Sequence, residues 1–141
     1  MRCQPFFLLL TLSLTAAPLA AVTAYPYGSL PTAASDADLT SAYNLWKTRR
    51  VATASCGKRV DNGGGTYSEG MVYGMLMAAY LEPNDTLLND FYTFFAANLD
   101  SRGVMNWSVG SNSCSNNNAN GASDGDMDVA LALLKAATRW P

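Results

Sequence analysis

Residues 69–81 constrain the fold most, because this segment is apolar on nearly every side. After Glu69 no charged residue occurs before Glu82, and the run between them reads Gly-Met-Val-Tyr-Gly-Met-Leu-Met-Ala-Ala-Tyr-Leu. A helix without a polar face must be buried on more than one side. We therefore expect this segment to form an interior helix of a protein with at least two layers of structure.

Three further helical segments alternate in character with this one. The first follows an N-cap at Ser35 and runs to about residue 50, and the third covers residues 86–99; each has one apolar and one polar side. The fourth, residues 124–139, is apolar from residue 129 to residue 134 and resembles the second. The order outer, inner, outer, inner predicts an all-α fold with two concentric helical layers. Four aromatic residues at helical spacing should pack in the core: Tyr43, Trp46, Tyr73 and Tyr80.

The N-terminus has the pattern of an export signal over residues 1–24. Arg2 supplies a basic start, residues 6–14 an apolar core and residues 22–24 a small-residue cleavage site, so the mature chain should begin at Tyr25. Pro18 interrupts the apolar run, which is shorter than the roughly 20 residues of a membrane span. We expect a secreted protein, extracellular or periplasmic, with no membrane association after the signal is removed.

Composition excludes several classes of function. Nine basic and eleven acidic side chains leave a formal net charge of −2, whereas a nucleic-acid partner calls for a basic surface. The chain has no histidine, which removes Ser-His-Asp and Cys-His catalysis and His-ligated zinc. We expect no nucleic-acid partner and no cofactor, and acid/base chemistry must then fall to carboxylates.

Carboxylates stand at the starts of both apolar helices. Glu69 is the only charged residue between Asp61 and Glu82, and three aspartates in the sequence Asp-Gly-Asp-Met-Asp begin at residue 124. Two carboxylate groups set against long uncharged helices indicate acid/base catalysis on a neutral substrate.

The aspartate cluster also opens like a calcium-binding loop, but its spacing does not fit one. An EF-hand needs glycine at its sixth position and glutamate at its twelfth, where this chain has Val129 and Lys135. We therefore expect no metal site. For Asp126 or Asp128 the alternative to a functional role is helix capping, favoured by the helix dipole by roughly 0.3 to 1 kcal/mol.

Two segments resemble the signatures of glycoside hydrolase family 8, inverting enzymes that cut β-1,4-linked polysaccharides. Residues 68–75, Ser-Glu-Gly-Met-Val-Tyr-Gly-Met, resemble the family's Ser-Glu-Gly-Met-Gly-Tyr-Gly-Met, with Val72 in place of a glycine. Residues 122–126, Ala-Ser-Asp-Gly-Asp, fit the second signature, with Val129 where isoleucine or methionine is usual. The resemblance runs from about Tyr43 to Trp140. It implies an (α/α)6 toroid of twelve helices, so that residues 25–141, with four, would be the N-terminal portion of a catalytic domain and too short to close the barrel.

The resemblance also implies roles for individual residues. Glu69 would be the acid, and Asp124 matches the aspartate described either as nucleophile or base, or as the holder of the distorted sugar and its water. Trp107 would stack under a sugar ring, and we expect Tyr67 and Asp126 to contribute to substrate binding. In many family members the water-activating base lies well beyond the second signature.

The cysteines suggest one disulfide. Signal cleavage removes Cys3 and leaves Cys56 and Cys114 in an oxidising compartment, where two cysteines tend to pair. The alternative is two free thiols whose Cα atoms lie too far apart. If formed, the bridge should tie together the loops that lead to Glu69 and Asp124.

Three functions remain open from the sequence. The first is a secreted endo-β-1,4-glucanase acting on the polysaccharides cellulose or mixed-linkage β-glucan, a monomer if the domain is complete. The second is a chitosanase or xylanase of the same family. The third is a secreted helical protein that binds carbohydrate without catalysis.

Overall fold

The computed structural model describes residues 33–110, residue 114 and residues 120–141. The expected export signal and its cleavage site lie outside these residues. The elements in chain order are α1 (Asp36–Arg50), β1 (Val51–Ala54), β2 (Gly57–Val60), β3 (Gly65–Tyr67), α2 (Ser68–Leu81), α3 (Thr86–Ala97), β4 (Ser108–Gly110) and α4 (Ser123–Arg139).

All four predicted helices are present, with ends within two residues of the prediction. At the start of α1 the Ser35 side chain accepts the Asp38 N–H while the Asp38 carboxylate accepts the Ser35 N–H, a reciprocal capping box. α3 begins after a turn in which the Asn84 side chain accepts the N–H of Thr86. Local capping chemistry thus fixes these boundaries, which is why the sequence indicates them.

Two short antiparallel strand pairs accompany the helices and were not expected. β1 pairs with β2, from Val51 opposite Val60 to Ala54 opposite Gly57, and β3 pairs with β4, with Tyr67 opposite Ser108. Each strand has only three or four residues. A segment this short carries too few alternating positions to be recognised as a strand. The strand pairs are therefore regular structure that the all-α prediction did not include.

The core surrounds α2, as its apolar sequence predicted. α3 packs against one side of α2 and α4 against another. Gly74 makes a third approach possible, because a Cβ at this position would stand 2.6 Å from Val60 and 3.3 Å from Trp46. The buried apolar side chains of the three helices are Met71, Val72, Met75, Ala78, Ala79, Leu88, Phe91, Phe94, Phe95, Val129 and Ala132.

The burial prediction for the aromatic residues is correct for two and wrong for two. Tyr43 is buried and Trp46 is partly buried against the core. Tyr73 and Tyr80 are 57% and 53% exposed. They lie seven residues apart, and therefore on one face of α2, and no described residue covers that face enough to bury them.

α4 is also less buried than an inner helix should be. Val129 and Ala132 face the core, whereas Leu131 and Leu134 are exposed. Only the side of α4 that meets α2 is covered by the described residues.

Among the residues that the structure describes, no helix has both the length and the apolar character that a membrane crossing requires.

α2 and α4 run parallel. At their starts a Cβ on Gly125 would stand 3.3 Å from the Ser68 side chain. At their ends the Arg139 guanidinium donates a hydrogen bond of 3.0 Å to the carbonyl oxygen of Ala79. Both carboxylate-bearing helix starts therefore lie at the same end of this helix pair.

Candidate active site

Glu69 and Asp124 each stand next to a residue of the contact between the two helix starts. Ser68 and Gly125 are both buried and in contact; Glu69 follows the first and Asp124 precedes the second. Glu69 is partly buried, and Asp124 is exposed. The structure thus brings together the two residues that the sequence singled out as catalytic, 55 positions apart in a chain that must fold to join them.

Polar groups of Ser68 and Asn62 lie at the first turn of α2, beside the acid. The Ser68 hydroxyl donates to Glu69 Oε2 at 3.2 Å. On the next residue, a Cβ at Gly70 would lie 2.5 Å from the Asn62 carboxamide, so a side chain there would displace this amide from the first turn. Polar groups therefore pack closely on both sides of the Glu69 backbone.

An exposed aromatic pair lies beside this junction. The rings of Tyr67 and Trp107 stack with centroids 5.8 Å apart and planes 6° from parallel, and they are 44% and 47% exposed. The Trp107 carbonyl accepts the N–H of Ser68 at 3.0 Å, which fixes the tryptophan next to the start of α2. Exposed aromatic faces of this kind suit the apolar face of a sugar ring.

Asp126 lies one turn into α4 and turns toward the protein. Its Oδ1 accepts the backbone N–H of Met105 at 3.1 Å, and its Oδ2 is buried without a hydrogen-bond partner among the described residues. Burial raises the pKa of the Asp126 carboxyl above its ordinary value. The hydrogen bond from Met105 lowers this pKa, and the negative charges of Asp100 and Asp124 raise it further. At least one of its oxygens is therefore occupied by the protein backbone.

The glycine-rich loop before β3 is organised by two charged residues that sequence reasoning missed. Asp61 Oδ1 accepts the N–H groups of Gly64 and Gly63, each at 3.1 Å; these bonds, and then Arg59, hold the pKa of Asp61 below its usual range. Arg59 is only 6% exposed and also donates to Thr66. The available signal was an arginine and an aspartate just before a glycine-rich loop, in which Gly63 and Gly64 adopt positive φ.

Comparison with known proteins agrees with the two signature segments. The family model described as glycosyl hydrolases family 8 matches residues 18–141. The chain belongs to glycoside hydrolase family 8.

Similar members of the family carry glucanase names. Endoglucanase A of Acetivibrio thermocellus is 32% identical over 131 residues, covering 84% of this chain and 27% of that protein. Beta-glucanase of Niallia circulans is 31% identical over 158 residues, covering 99% of this chain and 39% of that protein. The apo structure of beta-1,3-1,4-glucanase from Paenibacillus sp. X4 matches with a TM-score of 0.62 and 29% identity, over 73% of this chain and 30% of that one. The chain therefore spans between a quarter and two fifths of the length of these relatives.

The family 8 chain contains the disulfide between Cys56 and Cys114, whose Cα atoms are 5.6 Å apart. Cys56 lies in the turn between β1 and β2. It is therefore not in the loop that leads directly to Glu69, since β2 and β3 come between them. The bridge links that turn to the segment before α4. Closing a loop across 58 positions contributes about 4 kcal/mol in the chain-entropy model.

Two cavities among the described residues lie along α2. One of about 640 Å³ is lined by Lys47, Lys58 and Glu82, near the C-terminal end of α2. The other, about 390 Å³, lies between α1 and α2 and reaches Gly70. Neither of these two cavities is lined by Glu69 or Asp124. Among the described residues no group of three or more acidic or cysteine side chains is placed to hold a metal ion.

Proposed function

We propose that the protein containing this chain is a secreted enzyme that hydrolyses internal β-1,4 bonds of cellulose or mixed-linkage β-glucan with inversion. The observation that carries the proposal is the contact of two carboxylate-bearing helix starts beside an exposed, stacked pair of aromatic rings. Membership of family 8 and relatives named endoglucanase and beta-glucanase support the substrate class.

In this proposal Glu69 is the proton donor. Its carboxyl group protonates the glycosidic oxygen as the bond from that oxygen to C1 of the sugar breaks, while water attacks C1 from the opposite face. Two roles fit Asp124: it holds the distorted sugar and its water, or it removes the proton from that water. Tyr67 and Trp107 provide the platform on which a sugar ring rests.

Residues 25–141 are proposed to form an arc of an (α/α)6 toroid that begins after an export signal of residues 1–24. The parallel, adjacent arrangement of α2 and α4 supports their assignment as neighbouring inner helices, since inner helices of such a toroid all start at one end. α1 and α3 would then belong to the outer layer. The disulfide supports export to an oxidising compartment.

The experiment compares polysaccharides with the natural protein that contains this chain. Carboxymethylcellulose and mixed-linkage β-glucan should lose viscosity faster than reducing ends accumulate, as cleavage within the chain requires. Proton NMR of early products should show the α-anomer first, because hydrolysis of a β bond with inversion produces it.

The same assays decide between the alternatives. Higher kcat/KM on chitosan or xylan than on either glucan would replace the glucanase assignment with the corresponding enzyme. Binding of oligosaccharides with no release of reducing sugar from any polysaccharide would favour a carbohydrate-binding protein, for which the exposed Tyr67 and Trp107 pair would be sufficient.

A further inference from the structure

Residues 105–107 connect the start of α4 to the aromatic platform. The N–H of Met105 is bonded to Asp126, that of Asn106 to the Asn98 carbonyl at 3.1 Å, and that of Trp107 to the Asn120 carbonyl at 3.1 Å. Three of these residues, Met105, Asn106 and Asn98, are fully buried. Hydrogen bonds of the backbone N–H groups thus hold each residue of this segment. Met105 is only two positions from Trp107, so the position of its backbone affects where the Trp107 ring lies.

Asp126 is the one charged side chain among these attachments. The bonds at Asn106 and Trp107 join backbone atoms, whereas the Met105 N–H depends on a carboxylate from another element, 21 positions away. The second oxygen of Asp126 is buried and has no partner among the described residues.

The orientation of Asp126 separates it from Asp124. Asp124 is exposed at the junction with Glu69, whereas one Asp126 oxygen bonds to the backbone and the other lies beneath the surface. A carboxylate arranged in this way cannot present either oxygen to a sugar on the surface without first breaking a bond to Met105 or rotating out of its buried position.

We propose that Asp126 is a positioning residue, which fixes Trp107 and the Tyr67 ring stacked on it relative to Glu69 by anchoring the backbone of Met105. The inference rests on the proposed function and assigns Asp126 to platform placement in place of direct contact with substrate. Loss of the anchor should weaken substrate binding while leaving proton donation by Glu69 to bound substrate intact.

The test uses Asp126→Ala and Asp126→Asn in the natural protein, with Asp128→Ala as a control on the same helix. Asparagine keeps a carbonyl oxygen that accepts the Met105 N–H, and alanine does not. We expect Asp126→Ala to raise KM for mixed-linkage β-glucan about fivefold to tenfold, the effect of losing one hydrogen bond, with kcat within about threefold of wild type. Asp126→Asn and Asp128→Ala should keep KM within about twofold.

A double-mutant cycle gives the readout that a general loss of stability would not change. In a Trp107→Ala background the platform is already lost, so adding Asp126→Ala should leave KM unaltered. A second increase of the same size in that background would overturn the proposal. So would an Asp126→Asn enzyme that is folded, with the wild-type Tm, and as impaired as Asp126→Ala, since the carboxylate itself would then be needed.

If Asp126→Ala does not fold, Asp126→Asn decides: retained KM supports positioning, and loss of kcat with a normal Tm overturns it. Failure of the proposed function is recognised separately, as a wild-type protein that releases no reducing sugar. In that case the same variants are compared by calorimetric titration with cello-oligosaccharides, with Kd in place of KM. Equal Kd values for wild type and Asp126→Ala, or no binding by wild type, would overturn the inference.

Discussion

At the scale of single residues, the candidate site depends on where a few side chains are placed by their neighbours in sequence. Glu69 and Asp124 take their positions from Ser68 and Gly125, two small residues whose contact lets the helix starts approach. The sequence could predict the two carboxylates and the two aromatic residues, because helix-start patterns and signature segments are local. It could not predict Arg59 or the inward turn of Asp126, since both depend on partners that only the fold brings near.

Trp107→Ala should weaken binding of cello-oligosaccharides by about 1 kcal/mol or more, because half of an exposed stacked pair is lost. Calorimetric titration of the folded variant measures this change. Tyr92→Ala is the matched control, since Tyr92 is similarly exposed and also stacks on a ring, that of Phe95 on α3. Equal losses in both variants would show that the effect is not specific to the proposed platform.

Glu82 should make stability depend on pH. Burial raises its pKa, but hydrogen bonds from the Lys47 ammonium and the Tyr43 hydroxyl lower it by more, so the net pKa is below the ordinary value. A lowered pKa in the folded state means that the stabilisation is present above the unfolded-state pKa of about 4.3 and is lost as the pH falls through the lower, folded-state value.

Glu82→Gln should therefore reduce the free energy of unfolding by about 1 kcal/mol at pH 7. The difference from wild type should shrink toward pH 3. Urea unfolding at both pH values measures it, with Asp85→Asn as control because the exposed Asp85 side chain makes no capping bond. A difference that grows on acidification would contradict the sign of this coupling.

At the scale of elements, helices were predictable and their surroundings were not. Capping at Ser35 and the continuous apolar run of α2 determine these helices locally. The strand pairs escaped prediction because β3 and β4 are three residues long and lie 41 positions apart at their nearest paired ends, Tyr67 and Ser108. The exposure of Tyr73 and Tyr80 was missed because helical spacing identifies a face but not what covers it.

The contact between the starts of α2 and α4 is open to a direct test. Gly125→Leu should wedge the helix starts apart, because even a Cβ at this position meets the Ser68 side chain at 3.3 Å. We expect a loss of about 1 to 3 kcal/mol in the free energy of unfolding, the usual cost of overpacking. Chemical denaturation gives this value, and the activity of the folded fraction on mixed-linkage β-glucan should also fall.

Gly110→Leu serves as the control, since apart from its chain neighbours no described residue lies within 4 Å of a Cβ built there. A Gly125→Leu variant as stable and active as wild type would show that the helix starts need not be in contact. The assignment of Glu69 and Asp124 to one site would then lose its structural support.

At the scale of the whole molecule, the described residues enclose α2 on two sides and leave apolar side chains uncovered elsewhere. Leu131 and Leu134 on α4, and Leu39 and Leu45 on α1, are each at least half exposed. Sequence patterning predicted two helical layers from the apolar character of α2 and α4. The hydrophobic pattern could not show what fraction of each layer these residues form. That fraction depends on contacts with elements other than α2 and α4.

Hydrolysis by the proposed mechanism depends most on Glu69 as the proton donor, and Glu69→Gln in the natural protein tests this role most directly. The amide has nearly the same shape but cannot donate the proton, so kcat on mixed-linkage β-glucan should fall at least about 10²-fold to 10⁴-fold. The Kd for cello-oligosaccharides should stay within about threefold of wild type. A threefold change corresponds to a binding free energy difference of roughly 0.6 kcal/mol. Glu82→Gln, at the only other glutamate of the chain, should keep kcat near the wild-type value. A Glu69→Gln enzyme with wild-type kcat would contradict the assignment.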